Sequence, residues 1–122
     1  MSWLYRQSTG EIIDHAGKTL AVGYSGAGQG KNQSWMENVK NVGPIPKGAY
    51  RMNPPVDTVT HGPLVIALTA HPENRMYGRS GFLIHGDSIL EPGTASQGCI
   101  ILPREARAAL WNSGDHDLGV VT

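Results

Sequence analysis

A single cysteine, Cys99, and a histidine one polar loop before it, His85, are the residues of this sequence best suited to chemistry. The thiolate form of cysteine is a strong nucleophile, and an imidazole within hydrogen-bond reach can remove the thiol proton and stabilise the anion. One apolar run, residues 82–84, ends at His85, and another, residues 100–102, follows Cys99. Two neighbouring strands would bring these ends together, so the spacing predicts a cysteine nucleophile with a histidine base. A free cysteine without such neighbours is more often a small buried apolar residue.

The residues beside this pair carry groups that such a reaction needs. Gly98 has no Cβ, so a substrate carbonyl could approach backbone N–H groups that form an oxyanion hole. The Ser96 hydroxyl could donate a hydrogen bond to the substrate or to His85. Asp87 could orient His85 as a third catalytic residue, but we favour a cap on its own loop, because a backbone carbonyl can orient the imidazole equally well.

Three further residues are candidates for substrate contact. A planar guanidinium recognises a carboxylate through two parallel hydrogen bonds, so Arg79 could bind a substrate carboxylate or form an ordinary surface ion pair. Tyr24 and Ser25 lie where a predicted strand runs into a glycine-rich loop, and they could form one wall of the site. The other histidines show no metal-ligand spacing, so we assign no metal and no cofactor and expect loop positions for His15, His61, His71 and His116.

The composition excludes several classes of protein. A chain of 122 residues is one domain in length, which we place at residues 1–122. Ten Lys and Arg balance ten Asp and Glu and are scattered, so we expect no nucleic-acid partner. The longest apolar stretch, residues 63–68, is far shorter than the roughly 18 residues of a membrane span, so we expect no membrane insertion. Residues 1–7 do not resemble an ordinary secretory signal, so export would need another route.

Glycine and proline punctuate the whole chain, which favours many short strands joined by tight turns. The predicted strands are residues 3–5, 11–14, 19–24, 49–52, 63–70, 81–84, 98–102 and 118–121. The continuous apolar run 63–70 should be the most buried of them. The glycine-rich stretch 25–32 departs from a phosphate-binding loop at both ends, so we interpret it as a surface loop.

Two short helices complete the predicted fold. The first begins at Ser34, because four apolar residues spaced three to four apart would share one buried face: Trp35, Met36, Val39 and Val42. The second spans residues 103–111, with Pro103 at its first position, where a missing N–H costs nothing. We expect Trp35 and Trp111 to pack into the core. The sequence therefore predicts a mainly β single domain with two short helices.

The nucleophile segment carries a family resemblance. Residues 82–86 together with 95–102 resemble the signature of L,D-transpeptidases, in which a histidine precedes a Ser/Thr-His-Gly-Cys segment. Here the segment reads Ser96-Gln97-Gly98-Cys99, so Gln97 replaces the second histidine, and Ile101 replaces a residue that is usually polar or basic. The type VI secretion L,D-transpeptidase effectors, which are antibacterial toxins, share these departures. Similarity to that family runs through residues 23–26, 41–50, 62–63, 78–82, 85–88 and 96–99.

This resemblance implies a β-sandwich-like catalytic domain of the L,D-transpeptidase type that acts on the tetrapeptide stems of peptidoglycan. Cys99 would form a thioester and release the terminal D-alanine, after which water completes a carboxypeptidase reaction or a D-amino acid completes an exchange. Gln97 would then lie beside the substrate. The resemblance also implies a cognate immunity protein, a secretion-apparatus partner, synthesis in the cytoplasm and action in the periplasm of a target bacterium.

Two other functions stay open at this point. A cysteine amidase or endopeptidase of peptidoglycan would use the same Cys99 and His85 but cut a different bond. A non-catalytic wall-binding module would not need the thiol at all. The products formed from wall fragments distinguish the two enzymes, and replacement of Cys99 distinguishes an enzyme from a binding module.

Overall fold

Strands form most of the regular structure in a computed structural model of the chain, which describes residues 2–122. Ten strands are found there: β1 (Trp3–Arg6), β2 (Glu11–Ile13), β3 (Thr19–Val22), β4 (Tyr24–Ser25), β5 (Gly48–Met52), β6 (Val56–Thr58), β7 (Gly62–Ala70), β8 (Leu83–His85), β9 (Ile100–Ile101) and β10 (Asp117–Val121). The α-helix of this region is α1 (Arg104–Asn112). Two single 3-10 turns, Gly28–Gly30 and Ser34–Met36, lie between β4 and β5.

The strands follow one open, mixed path in the order β3-β2-β1-β10-β5-β7-β8-β9-β4, with β6 beside β7. Two neighbouring pairs are parallel, β1 with β10 and β8 with β9, and the other pairs are antiparallel. The mainly β class and the single small domain are thus confirmed. The sandwich-like arrangement of the L,D-transpeptidase type stays a prediction.

The core lies where the strands meet α1. Buried apolar side chains from β1, β2, β5, β7, β8, β9 and β10 pack together with two helix residues, Ala106 and Leu110. These two residues are four apart, so they share one face of α1, and the alanine-rich sequence around them favours a helix. The helix contacts β7 and β8, the strand that ends at His85. No helix among residues 2–122 has the length and apolar character needed to cross a bilayer.

The predicted helix at Ser34 is wrong. The chain makes only the 3-10 turn Ser34–Met36 and then further tight turns, with Asn41 at a φ of 65°, a left-handed conformation that a helix cannot include. Trp35 is 74% exposed and its indole N–H donates to Gln33, so its predicted place in the core is also wrong. Trp111, by contrast, packs against the core as expected.

Most of the remaining strand and helix predictions agree with the structure, but the strand predicted at residues 19–24 divides into β3 and β4, which lie at opposite ends of the strand order. The run at residues 63–70 does form the longest strand, β7, but the expectation that it is the most buried strand is wrong: only Val65 and Ile66 are buried there, whereas both residues of β9 are. Val65 and Ile66 are adjacent and face opposite sides of the sheet, so β7 is covered on both sides only at that point. The strand predicted at residues 98–102 shrinks to β9, so Cys99 lies just before it. The second helix begins one residue later than predicted, after Pro103.

Matched leucine truncations test this placement of the core. Leu110 is fully buried and Leu90 is 92% exposed. Leu110→Ala should lower the free energy of unfolding by about 3 kcal/mol, since it removes buried apolar contacts and leaves a cavity. Leu90→Ala should change it by less than about 0.5 kcal/mol. Urea unfolding followed by circular dichroism measures both, and similar losses in the two variants would contradict this core.

Candidate active site

The parallel pairing of β8 with β9 determines where His85 and Cys99 lie relative to each other. Ile84 pairs with Ile100, and His85 pairs with Ile101. Ile84 and Ile100 both belong to the core, so the alternate residues His85 and Ile101 face away from it. His85 and Ile101 accordingly line the same cleft. Cys99 lies directly before β9, next to Leu83, and it is not among the residues that line this cleft.

Cys99 and His85 are offset along the strands by two residues. This offset corresponds to about 6.6 Å along the strands and about 4.8 Å across them. The Leu83 N–H donates to the Cys99 Sγ at 3.4 Å, and no hydrogen bond joins Cys99 to His85 in the part of the chain that the structure describes. The pairing of β8 with β9 therefore brings the predicted nucleophile and base into neighbouring positions without closing the contact between them.

The His85 imidazole is oriented by a backbone carbonyl. Its Nδ1 lies 2.9 Å from the Gly86 carbonyl oxygen, and because a carbonyl can only accept, Nδ1 must carry the proton. The other ring nitrogen, Nε2, is then the basic one. Burial lowers the pKa of His85 below its ordinary value; the Gly86 carbonyl opposes this, while His61 and Arg107 add to it. His85 is thus neutral near pH 7, as a base must be.

Asp87 caps the loop that follows β8. Its carboxylate accepts hydrogen bonds from the backbone N–H groups of Ser88 and Gly93 and from the Tyr24 hydroxyl, the last at 2.6 Å. The same hydroxyl accepts from the Ala95 N–H. Burial and the bond to Asp87 raise the pKa of Tyr24 to about 12, so it remains a hydroxyl donor. Tyr24 and Asp87 together fasten the polar loop between His85 and Cys99, and both line the cleft.

Two buried serines hold the backbone of the nucleophile segment. The Ser96 hydroxyl donates to the Cys99 carbonyl at 2.6 Å and accepts from the N–H groups of Gly26 and Gly98. The Ser25 hydroxyl donates to the Gly98 carbonyl at 2.8 Å and accepts from the Ile45 N–H. Both hydroxyls bond to backbone groups, and in this structure they hold the backbone carbonyls of Gly98 and Cys99 in place.

Arg79 is buried and surrounded by backbone carbonyls. Its Nη1 donates to Glu37 and Pro44, and its Nη2 donates to Gly43 and Gln97. Only 5% of the residue is exposed, so the alternative of a surface ion pair is wrong. The guanidinium ties the segment 37–44 to the residue before Gly98, and carboxylate binding by Arg79 stays a prediction.

The packing around Arg79 requires a glycine at position 98. Its φ is 133°, a conformation that favours glycine, and a Cβ there would lie 2.4 Å from the Arg79 Nη2 and 2.9 Å from the Phe82 ring. Its N–H is occupied by the Ser96 hydroxyl. The side-chain space that we expected a substrate to use is therefore filled by Arg79, while the oxyanion role of this segment stays a prediction.

Cys99 is a protonated thiol at neutral pH. Burial raises the pKa of Cys99, and the Leu83 N–H and the Arg79 guanidinium offset part of that rise. Because the pKa of His85 is lowered at the same time, both shifts favour a neutral thiol beside a neutral imidazole over an ion pair. The arrangement suits proton transfer to His85 during attack on a substrate.

The cleft beside His85 is open and has a volume of about 1020 Å³. Its walls come from β4, the turn between β6 and β7, the loop after β8 and the start of α1. Of the predicted site residues, it is lined by Tyr24, His85 and Asp87. Five others lie in or under the nucleophile segment: Ser25, Arg79, Ser96, Gly98 and Cys99. Gln97 is exposed beside them and gives its carbonyl to Arg79.

Two cleft residues escaped the sequence analysis. His61 lies with its ring centroid 4.6 Å from that of His85, although its sequence suggested only a loop position. The one signal was its place directly before the Gly62-Pro63 pair. Arg107 is buried and lines the cleft, but an arginine inside a short helix carries no sequence signal of this kind. No group of three or more His, Cys, Asp or Glu side chains within residues 2–122 could hold a metal ion.

Fold and site together define a small, mainly β domain in which a cysteine and a histidine lie at two neighbouring parallel strands of a mixed sheet. The family model described as the Tlde1 domain matches residues 19–118, and the chain therefore belongs to the Tlde1 domain family. This is a family of type VI secretion effectors. No curated protein and no solved structure matches the chain.

Gly98→Ala tests the packing under the nucleophile. The new methyl group should displace the Arg79 guanidinium, lower the free energy of unfolding by about 2 kcal/mol or more, and change the rate at which Cys99 is alkylated. Gly78→Ala is the matched control, because Gly78 also has a positive φ but open space around it. Urea unfolding and mass-detected alkylation measure both effects. An equal, small loss in the two variants would contradict the packing.

The pH dependence of Cys99 alkylation tests its electrostatic surroundings. Because burial raises the pKa, the alkylation rate should rise with pH to a midpoint above the ordinary cysteine value of about 8.5. Arg79→Gln should move the midpoint higher still, since it removes a positive charge that stabilises the thiolate, whereas Arg79→Lys should move it less. The exposed Arg51→Gln is the control. An unchanged midpoint in folded Arg79→Gln would rule out this contribution.

Proposed function

We propose that this protein is a cysteine-dependent L,D-carboxypeptidase and L,D-transpeptidase that acts on the tetrapeptide stems of peptidoglycan, with residues 1–122 forming one catalytic domain. The observation that supports the proposal is the parallel pairing of β8, which ends at His85, with β9, which follows Cys99, in a chain of the Tlde1 domain family. A bare wall-binding module would not need a basic imidazole nitrogen beside an oriented thiol.

The reaction follows from the protonation states of the two residues. The Cys99 Sγ attacks the carbonyl carbon of the third stem residue while its proton passes to the His85 Nε2. The tetrahedral intermediate then collapses, the C–N bond to D-alanine breaks, and His85 returns the proton to the leaving amine. A thioester to Cys99 remains. Water or the amine of a D-amino acid attacks it, with His85 again taking the proton, and the thiol is restored.

Contact between nucleophile and base has to close during this cycle. The two-residue offset leaves Cys99 beside Leu83 in the resting structure. Rotation of the cysteine side chain away from the Leu83 N–H would turn the sulfur toward the cleft and the substrate. Catalytic hydrogen bonds are often long in free enzymes and tighten in the substrate complex, so the open contact is compatible with this chemistry.

The setting of the activity is proposed from the family. Type VI secretion effectors are delivered into other cells, and a cognate immunity protein and a secretion-apparatus component are the partners that such a family suggests. Removal of the terminal D-alanine in the periplasm of a target bacterium would deplete the tetrapeptide donors used in wall crosslinking. A cysteine amidase or endopeptidase is the second candidate, since the same pair could attack a different amide.

Product analysis tests the proposal directly. The purified protein, incubated with tetrapeptide-bearing muropeptides, should give the tripeptide, and with an added D-amino acid it should also give the exchanged tetrapeptide. Cys99→Ala should abolish both products, because no thioester can form. His85→Ala should lower the rate by about a hundredfold or more. His71→Ala, a substitution at an exposed loop histidine, is the matched control and should be fully active.

The masses of the products separate the alternatives. Loss of the whole stem peptide would identify an amidase, and a split crosslink would identify an endopeptidase. Intact tetrapeptide under every condition, from a protein shown to be folded by circular dichroism, would refute the L,D activity. Activity that persists in Cys99→Ala would remove the cysteine from the mechanism.

A further inference from the structure

A second imidazole is held against His85 by the turn between β6 and β7. The His61 and His85 rings have centroids 4.6 Å apart and are tilted by 53°, and both line the cleft. The Thr60 hydroxyl lies 3.0 Å from the His61 Nδ1, and the Thr58 hydroxyl accepts from the His61 N–H. His61 is itself exposed, whereas His85 is only 3% exposed. The His61 ring thus covers His85 on the side of the cleft.

The first residues of β7, which directly follow His61, have an unusual backbone. Gly62 has a φ of 82°, and Leu64 has a φ of 54°, a left-handed conformation that a leucine rarely adopts. Such strain persists only where surrounding contacts impose it, and it concentrates at functional sites. Here the Asp57 carboxylate accepts from the Leu64 N–H at 3.0 Å.

Arg107 imposes the rest of this conformation from α1. Its Nε donates to the Leu64 carbonyl at 3.0 Å and its Nη2 to the Pro63 carbonyl at 3.2 Å. Its Nη1 donates to the Leu102 carbonyl at the end of β9. The same guanidinium packs on Gly86, where a Cβ would lie 3.1 Å from Nη1. One buried side chain therefore fixes both the residue after His85 and the turn that brings His61 over it.

We propose that His61 is a positioning residue for His85, whose ring closes over the imidazole, shields it from water and keeps it fixed at the wall of the cleft. This role rests on the proposed function only in naming His85 as the base. The contact itself is a property of the free protein, so it can be tested without a substrate.

The direction of the effect on His85 follows from the groups that face it. These groups are the Gly86 carbonyl and Asp87 from the loop after β8, His61 from the β6–β7 turn, and Arg107 from α1. Burial is the largest cause of the lowered pKa of His85, and His61 lowers it further. Removing the His61 ring would expose His85 and remove the electrostatic effect by which His61 lowers the pKa of His85. Both changes raise the pKa of His85.

Three variants distinguish the shielding of His85 by the His61 ring from the electrostatic effect of His61 on His85. His61→Ala removes both, His61→Phe keeps an aromatic ring over His85 without a titratable nitrogen, and His15→Ala changes an exposed histidine in the turn between β2 and β3 as a control. NMR titration of the His85 ring protons in the free protein gives its pKa in each. We expect a clear upward shift in His61→Ala, a smaller one in His61→Phe and none in His15→Ala.

Kinetics on tetrapeptide muropeptides give a second readout. His61→Ala should lower kcat by roughly tenfold with little change in KM and should move the acidic limb of the pH profile upward, while His61→Phe should retain most of the rate. An unchanged His85 pKa in His61→Ala, or an equal shift in the alanine and phenylalanine variants, would overturn the proposal. If the wild-type protein leaves tetrapeptides intact, the proposed function fails while the NMR result still decides the role of His61.

Discussion

The parallel pairing of β8 with β9 is the constraint on which the rest of the site depends. Parallel neighbours cannot be joined by a tight turn, so the chain must leave β8 at His85 and return through a long loop to enter β9 after Cys99. The register then leaves the two residues on neighbouring chain segments, with Cys99 two residues before the partner of His85. The loop between them has no helix or strand of its own, and its shape depends on side-chain contacts from elsewhere.

Two buried arginines, Arg79 and Arg107, add to the contacts that Tyr24 and the two serines make with this loop. Loop carbonyls lack the partners that a sheet would give them, and a buried guanidinium needs acceptors, so each satisfies the other. Arg79 gathers carbonyls from the segment 37–44 and the nucleophile loop, and Arg107 gathers carbonyls from the β6–β7 turn and the end of β9. Neither forms an ion pair with a carboxylate within the described residues. Arg79 and Arg107 therefore fix the backbone segments on either side of the strands that carry His85 and Cys99.

Sequence patterns predicted those parts of the fold that depend on local periodicity. Most of the strands, the helix after Pro103 and the position of His85 at a strand end follow from alternation, turn residues and helix spacing, whereas β6 and the break between β3 and β4 were not predicted. The Ser34 helix failed because Asn41 and a series of tight turns break the apolar spacing that suggested it, leaving Trp35 in solvent. The structural roles of the two arginines could not be predicted for a different reason. A buried arginine bound to carbonyls distant in sequence has no periodic signature. The sequence indicated Arg79 only as a possible carboxylate ligand, and it gave no indication of Arg107.

The protonation states of the pair connect this architecture to the proposed chemistry. A cysteine enzyme can store its thiolate as an ion pair with an imidazolium, but such a pair needs neighbours that favour both charges. Burial here raises the pKa of Cys99 and lowers that of His85, and the positive charge of Arg107 lies on the His85 side. Arg79 lies on the cysteine side, where it limits the rise without reversing it. Burial thus keeps the proton on the Cys99 sulfur, and Arg79 opposes this effect in part. Arg107 acts in the same direction as burial at His85 and favours the neutral imidazole.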